Sequence, residues 1–597
     1  MKGAIFNANN KYGSLFEYDT TGTSVYVSTT FSDNPPAAND RVLVGIKGFP
    51  TSFSGGNTYL YTGLAPSVNK TVQIKTNKIG ELGNAVFFNS STGTGGKIVN
   101  SMDFSKWKKM ESLFSVQSSP ALTGITMPNP WAGTGSTAYQ MSNDIIVTNT
   151  GISNLNLSQF IRYRDLEINN NPSLTAITFP NLVSLGRFHN IYQNNLQGHL
   201  NLSSLIGLQT RYSFLFYSNP GLTGVTFPNV SHRNTGQAAN PFVYGFNCNI
   251  QGNLDMTPLT GFPTYVSFTN NSITGITFPS FATMSSAPNT IVLSGCGLFD
   301  FSSNNINGNL DVSMFKRLYN IFRLDTNPNL TGVTFSCTGT NDFNEFRISV
   351  CDLTGNLNLS TISGRLGGIF TVRDNPLLTG ITFSSSNFMG TTGSTSPGFF
   401  VDSCNLTGTL DMSNVTGLNT DFRAYSNPNL TQILHGPSSN TFIRFLVYNC
   451  NLTGTYDLSM LSGLSGSIQI YSNPLLTNII FPPSVQQFIN VGADANDSAF
   501  ALSSNNLDYV DFKPLSGATL VDGSRIRLVN NNMSAADVNH ILVDFVTIAT
   551  SSPSSWDYVV LDIGGTNANP DSVSGGYDGL AAINTLTGGT YNWTITY

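Results

Sequence analysis

Charge is what this chain has least of. Only 10% of its 597 residues are charged, against about 25% in an average domain. Its 27 Lys and Arg residues form no basic run and the formal net charge is -6, so the footprint of a nucleic-acid-binding protein is absent. No stretch approaches the roughly 18 continuous apolar residues of a membrane-spanning helix. The first residues, MKGAIFNANNKYGS, hold one Lys and no apolar stretch, unlike a secretory signal. Cysteine is scarce as well. The chain has 6, with no CxxC and no Cys/His pair at metal-ligand spacing, which leaves neither a disulfide framework nor a metal site to expect.

Catalytic signatures are also missing. The sequence contains no P-loop, no GxGxxG after a strand, no HExxH and no GxSxG. The 5 histidines, at 189, 199, 232, 435 and 540, are scattered. The expectation is a protein without cofactor or metal and without enzymatic activity.

What the chain does have is repetition. NNPSLTAITF at 170–179, SNPGLTGVTF at 218–227, TNPNLTGVTF at 326–335, DNPLLTGITF at 374–383 and SNPLLTNIIF at 472–481 are one module. CDLTGNLNLS at 351–360, CNLTGTLDMS at 404–413 and CNLTGTYDLS at 450–459 are a second. Each module has one apolar anchor, and along 353, 378, 406, 430, 452 and 476 the spacings are 25, 28, 24, 22 and 24 residues. A period of this size means stacked coils, each too small to bury a core alone. Counting anchors gives about sixteen or seventeen coils. Asn, Ser, Thr and Gly fill the polar positions, and aromatics at 11% supply enough apolar mass to fold.

A strand-like stretch precedes each anchor, as in FRISVCDL, FFVDSCNL and FLVYNCNL. Alternate residues face inward, because side chains on a strand alternate. The Asn or Cys two residues before the anchor turns in to bond backbone groups of neighbouring coils. Pro after Asn ends the strand, and the Gly of LTG permits a bend. Cys248, Cys296, Cys351, Cys404 and Cys450 all precede an anchor by two and read as reduced, buried rungs, with Leu298 or Ile306 as anchor of the unit after Cys296. Cys337 has no place in the pattern. Asp255, Asp311, Asp411 and Asp457 recur with the second module and read as turn formers.

The pattern over roughly 100–533 resembles the leucine-rich repeat, L-x-x-L-x-L-x-x-N/C-x-L, with Phe, Ile and Val often replacing Leu and one extra residue in the NPxL modules. The expected fold is mainly β: a leucine-rich-repeat-like solenoid over 99–533, an N-terminal antiparallel β-domain over 1–98 and a small α/β cap over 534–597. In the cap, Ser534 stands ready to cap a helix over 535–549, followed by strand-like DYVVLDIGG, a short helix in YDGLAAINTLT and a last strand in YNWTITY. The order of these terminal elements is similar to that in repeat-bearing bacteriophage proteins.

The function has to lie on a surface. Outward positions of successive strands bring Tyr192, Tyr217 and Phe246 together, and later Tyr425, Tyr448 and Tyr471. At a strand spacing of about 4.8 Å each trio forms an aromatic row. Between them Arg323, Asp325, Arg347, Arg373, Asp402 and Arg423 make a charged patch. The rows either brace the sheet or form exposed plates for sugar rings or a partner protein. The candidate ligand-binding residues are Tyr192, Tyr217, Phe246, Arg347, Arg373, Arg423, Tyr425, Tyr448 and Tyr471. The resemblance implies a structural and recognition protein of a bacteriophage virion, an appendage or fibre, joined to other virion proteins and to its own copies through 1–98. A host-surface glycan or protein is the implied ligand, with no nucleic acid and no membrane insertion. A bacterial cell-surface adhesin, extracellular in location, and a polysaccharide-degrading spike are the alternatives.

Overall fold

A computed structural model gives the structure. It describes backbone strands between residues 13 and 87 and, with short gaps, residues 97–105, 114–127, 144–179, 188–205, 213–229, 242–280, 296–389, 398–438, 442–483, 500–551 and 556–597. The chain is a mainly parallel β-solenoid of about 14 turns, with only 8% of residues helical. Its contacts divide it into residues 1–293 and 294–597, and each unit is built the same way.

The first row of strands is a continuous parallel sheet within each unit. In the first unit Phe114–Ser119, Ile145–Thr150, Asp165–Asn169, Phe188–Asn190, Ser213–Leu215, Phe242–Tyr244 and Tyr265–Ser267 pair in succession. In the second, pairing runs from Cys296–Asp300 through Leu318–Arg323, Asn341–Arg347, Ile369–Thr371, Gly398–Phe400, Thr420–Arg423, Phe442–Leu446 and Ser467–Gln469 to Phe500–Ala501. Behind this row the return segments also form strands, but in couples. Among the described residues, seven two-stranded pairs join a second-module strand to the first-module strand that follows it, such as Thr407–Met412 with Asn429–His435. The alternation of modules in the sequence is therefore a two-coil unit in space. At the ends the couples stop: Leu122–Thr126 pairs with Lys97–Asp103, and the coils of Leu507 and Met533 add strands to the first row only.

Two devices make one coil fit the next. The first is the predicted rung. Asn427 is wholly buried; its Nδ2 donates to the carbonyls of Val401, Ala424 and Tyr425 at 3.0, 3.0 and 3.3 Å, and its Oδ1 accepts from the Leu406 N–H. Cys351, Cys404 and Cys450 take the same place, each Sγ donating to a carbonyl of the preceding coil at 3.4, 3.2 and 3.2 Å. The second device went unseen in the sequence. The residue just before each rung is left-handed: φ is +55° at Ser218, +54° at Ser426 and +53° at Asn449. That reversal swings the rung inward, and small polar residues bear it best. Thr326, at φ +58°, and Val350, at φ +55°, are the β-branched exceptions.

The core is a column of inward rings in the second unit. Phe299, Phe322, Phe346, Phe370, Phe399, Phe422 and Phe445 stack in turn at centroid distances of 5.1, 5.3, 5.3, 4.8, 5.6 and 4.9 Å. All seven are buried, and each contributes roughly 1.5–3 kcal/mol of burial. The anchors Leu353, Leu378, Leu406, Leu430, Leu452 and Leu476 are buried beside them.

Four expectations need correction. Cys296 is not a rung: it opens a first-row strand, Ile306 is the buried anchor, and the rung is Asn304. Cys248 is a rung but only half-buried. Glycine has two roles rather than one. Gly408 has φ +70° at a register shift, as the bend requires, whereas Gly380 in the other module is needed for room, since a Cβ there would lie 2.9 Å from Asn356 Oδ1. Finally, residues 1–98 are not an antiparallel domain set apart by its sheets. Gly13–Thr21 with Lys70–Thr76, Arg41–Ile46 with Phe49–Ser54, and Val25–Phe31 with Asn57–Tyr61 do pair antiparallel. Yet Leu82–Phe87 pairs parallel to Phe114–Ser119, so the sheet runs on into the solenoid. A solenoid end is an open row of backbone donors and acceptors, and pairing it satisfies them.

At the other end, Asp537 N–H donates to Ser534 Oγ at 3.3 Å, capping the helix Ala535–Ser551, whose Val538, Ile541, Leu542 and Phe545 are buried. Val560–Asp562 and Thr594–Thr596 extend the first row, and Gly579–Thr587 is the second helix. Cys337 is buried, and burial pushes its thiol up to about 11.

Candidate recognition face

The outward positions of the first row carry the candidate binding residues. Strand register aligns Arg323, Arg347, Thr371, Phe400, Arg423, Leu446 and Gln469 in one column. The next outward residue along each of these coils gives Arg373, Asp402, Tyr425, Tyr448 and Tyr471.

Both aromatic rows form. Tyr192 and Tyr217 lie 4.7 Å apart with planes at 6°, and Tyr217 and Phe246 are 4.4 Å apart at 9°. In the second unit Tyr425 and Tyr448 are 4.5 Å apart at 2°, and Tyr448 and Tyr471 are 4.4 Å apart at 5°. This geometry corrects the expectation of exposed plates. Rings so close and so parallel cover one another's faces, so the row turns edges and hydroxyls outward. Crowding shows in Tyr448, which burial first, and then the flanking Tyr471 and Tyr425, push up to about 12. Tyr217 is raised by burial and by Tyr192, and Tyr425 by burial and by Asp402.

The charged patch is mostly neutralised. Arg323 bridges Asp300, at 3.5 Å, and Glu345, while Arg347 shares Glu345. Arg373 pairs with Asp374 at 3.4 Å. Arg423 pairs with Asp421 at 2.6 Å, and its guanidinium carbon lies 4.8 Å from the centre of the Phe400 ring. Asp402 is buried and one carboxylate oxygen lacks a hydrogen-bond partner; burial raises its pKa, against the pull of Arg373. The sequence reading missed Asp300 and Glu345, which balance the arginines. It also missed Arg444, exposed in Phe442–Leu446 and without an ion-pair partner among the described residues. Counting back by two from Tyr448 through Leu446 would have found it.

A groove of about 330 Å³ opens on this face between Arg423, Tyr425, Arg444, Leu446, Tyr448, Ser467 and Gln469. A second of about 410 Å³ lies on the opposite row, between the couples at Val333 and Leu357. The recurrent carboxylates are elsewhere and have structural work: Asp255, Asp311, Asp411 and Asp457 each accept from a backbone N–H two residues on, at 2.8–3.0 Å. The buried histidines are also occupied in the core. His189 bonds the Tyr163 hydroxyl at 3.0 Å and His435 that of Tyr456 at 2.7 Å, and burial lowers each to about 3.

No protein-family model, curated protein or solved structure matches the chain.

Proposed function

We propose that this is a non-enzymatic structural and recognition protein of a bacteriophage virion. Its leucine-rich-repeat-like solenoid displays a binding face toward the host surface. Residues 1–98 attach it to other virion proteins and to further copies of itself. The observation that carries the recognition reading is the row Tyr425–Tyr448–Tyr471 beside a groove holding Arg423 and Arg444. Aromatic edges with arginine, on a surface otherwise rich in small uncharged side chains, are recognition chemistry. The virion setting rests on the repeat pattern and on the order of the terminal elements.

Two experiments test it. Replacing Tyr425, Tyr448 and Tyr471 together by Ser removes host-cell binding and leaves a folded solenoid; binding intact with a lowered melting point would reduce the row to a brace. Deleting 1–98 yields a protein that no longer joins the particle; normal assembly would move attachment elsewhere, to 534–597 first.

A further inference from the structure

The groove beside Tyr448 keeps an unbalanced cation. Arg423 is held by Asp421 through two nitrogens, Nε at 3.3 Å and Nη2 at 2.6 Å. Arg444 stands one coil further along, aligned with Asp421 and Ser467, and is exposed without an acidic partner among the described residues. No carboxylate lines the groove. A planar guanidinium left free in this way is a receptor for a planar oxyanion, which it binds through two parallel hydrogen bonds.

The remaining groups narrow the ligand. Phe442–Leu446 is hydrogen-bonded to strands on both sides, as are Thr420–Arg423 and Ser467–Gln469. No sheet edge is open here, so an extended peptide cannot add as a strand and gain main-chain bonds. Recognition falls to side chains. Those are the phenol hydroxyls of Tyr425 and Tyr448, spaced by rings 4.5 Å apart, and the Gln469 amide, which donates to Ser467 Oγ at 3.2 Å. Hydroxyl and amide groups can each donate and accept, and set side by side they complement a ligand that carries hydroxyls at intervals. The volume of about 330 Å³ lies within the usual size of a small-ligand site.

We propose that this groove binds a carboxylate-bearing polysaccharide, with Arg444 holding the carboxylate and Tyr425, Tyr448 and Gln469 reading the sugar hydroxyls. The inference rests on the recognition reading above and adds the charge of the ligand. The test uses the full chain and three uronate polymers (polygalacturonate, alginate and hyaluronate), with carboxyl-reduced polygalacturonate and poly-L-glutamate as comparisons. Binding to at least one uronate polymer is expected, weakening as salt rises. It falls about tenfold or more in Arg444→Gln, as loss of a charge-assisted hydrogen bond implies, while the melting point holds because Arg444 is exposed and makes no ion pair among the described residues. The carboxyl-reduced polymer and poly-L-glutamate do not bind comparably. Failure of all three uronates, equal binding of the reduced polymer, equal binding of poly-L-glutamate, or unchanged uronate binding by Arg444→Gln would each overturn the proposal. The recognition reading has its own readout: host-cell binding lost in the triple Tyr variant but kept in Arg444→Gln preserves that reading and removes this one.

Discussion

The two aromatic rows share one geometry and differ in everything around it. Tyr192, Tyr217 and Phe246 stack as closely as Tyr425, Tyr448 and Tyr471. Beside the first row stand Asn190, Leu215 and Tyr244; beside the second stand Arg423, Leu446 and Gln469, with Arg444 in the adjoining column. Stacking therefore follows from placing aromatics on neighbouring coils and by itself says nothing about ligands. Charge beside the row is what singles out the second as the candidate site.

The largest test breaks the support beneath each row. Asn219 Nδ2 donates to the carbonyls of Ile191, Phe216 and Tyr217, as Asn427 does to Val401, Ala424 and Tyr425. Asn219→Leu and Asn427→Leu each leave buried carbonyls unpaired, at about 1–3 kcal/mol per group, so a loss of roughly 3 kcal/mol or more is expected from denaturant unfolding of each. Equal losses would show that both rows sit on the same scaffold.

Acid should weaken both units next. His189 and His435 are neutral in the fold, near 3 against an ordinary 6.5. The unfolded chain takes up the protons that the folded one refuses, so their contribution is intact above 6.5 and is lost as pH falls toward 3. The slope is about 1.4 kcal/mol per pH unit for each histidine. His189 also stands in the inward column that Phe fills in the second unit, between Leu166 and Phe214. His189→Phe with Tyr163→Phe should remove half of the acid sensitivity, read as the melting point between pH 7 and pH 4.5.

The rows themselves come third. Replacing either trio by Ser should cost about 1 kcal/mol, from roughly 0.2–1 kcal/mol per cross-strand pair. Host-cell binding should vanish only for the second trio. Loss with the first trio instead would move the site to the first unit.

The smallest effect is a gain. The first unit places Asn170, Gln193, Ser218, Asn247 and Asn270 at its left-handed positions, but the second has Val350 among its own, half of it exposed. Val350→Asn should stabilise by about 0.5–1 kcal/mol, since a β-branched residue is poorly tolerated there. No change in melting would mean that the coil relaxes around the valine.

Much was legible from letters alone, and for one reason: a coil that must stack on its own kind repeats its constraints. The anchors from Leu122 to Met533, the rungs at Cys351, Cys404, Cys450 and the NP asparagines, the turn-forming aspartates and the two rows all have fixed offsets, and period-two alternation sorts them into inward and outward. Tertiary structure decided the rest. Whether Cys296 or Asn304 is the rung depends on which strand pairs with Leu318–Arg323. The continuation of the 1–98 sheet into the solenoid depends on the partner of Leu82–Phe87. Ring faces were hidden because stacking is a relation between coils, and a sequence gives the spacing of rings but not their tilt. Arg444 became distinct from Arg323, Arg347, Arg373 and Arg423 only when each of those met its carboxylate. Arg323 reaches across coils to Asp300 and Glu345, whereas Arg347, Arg373 and Arg423 meet carboxylates within two residues of themselves; a short spacing allows such a pair but only the fold shows that it forms.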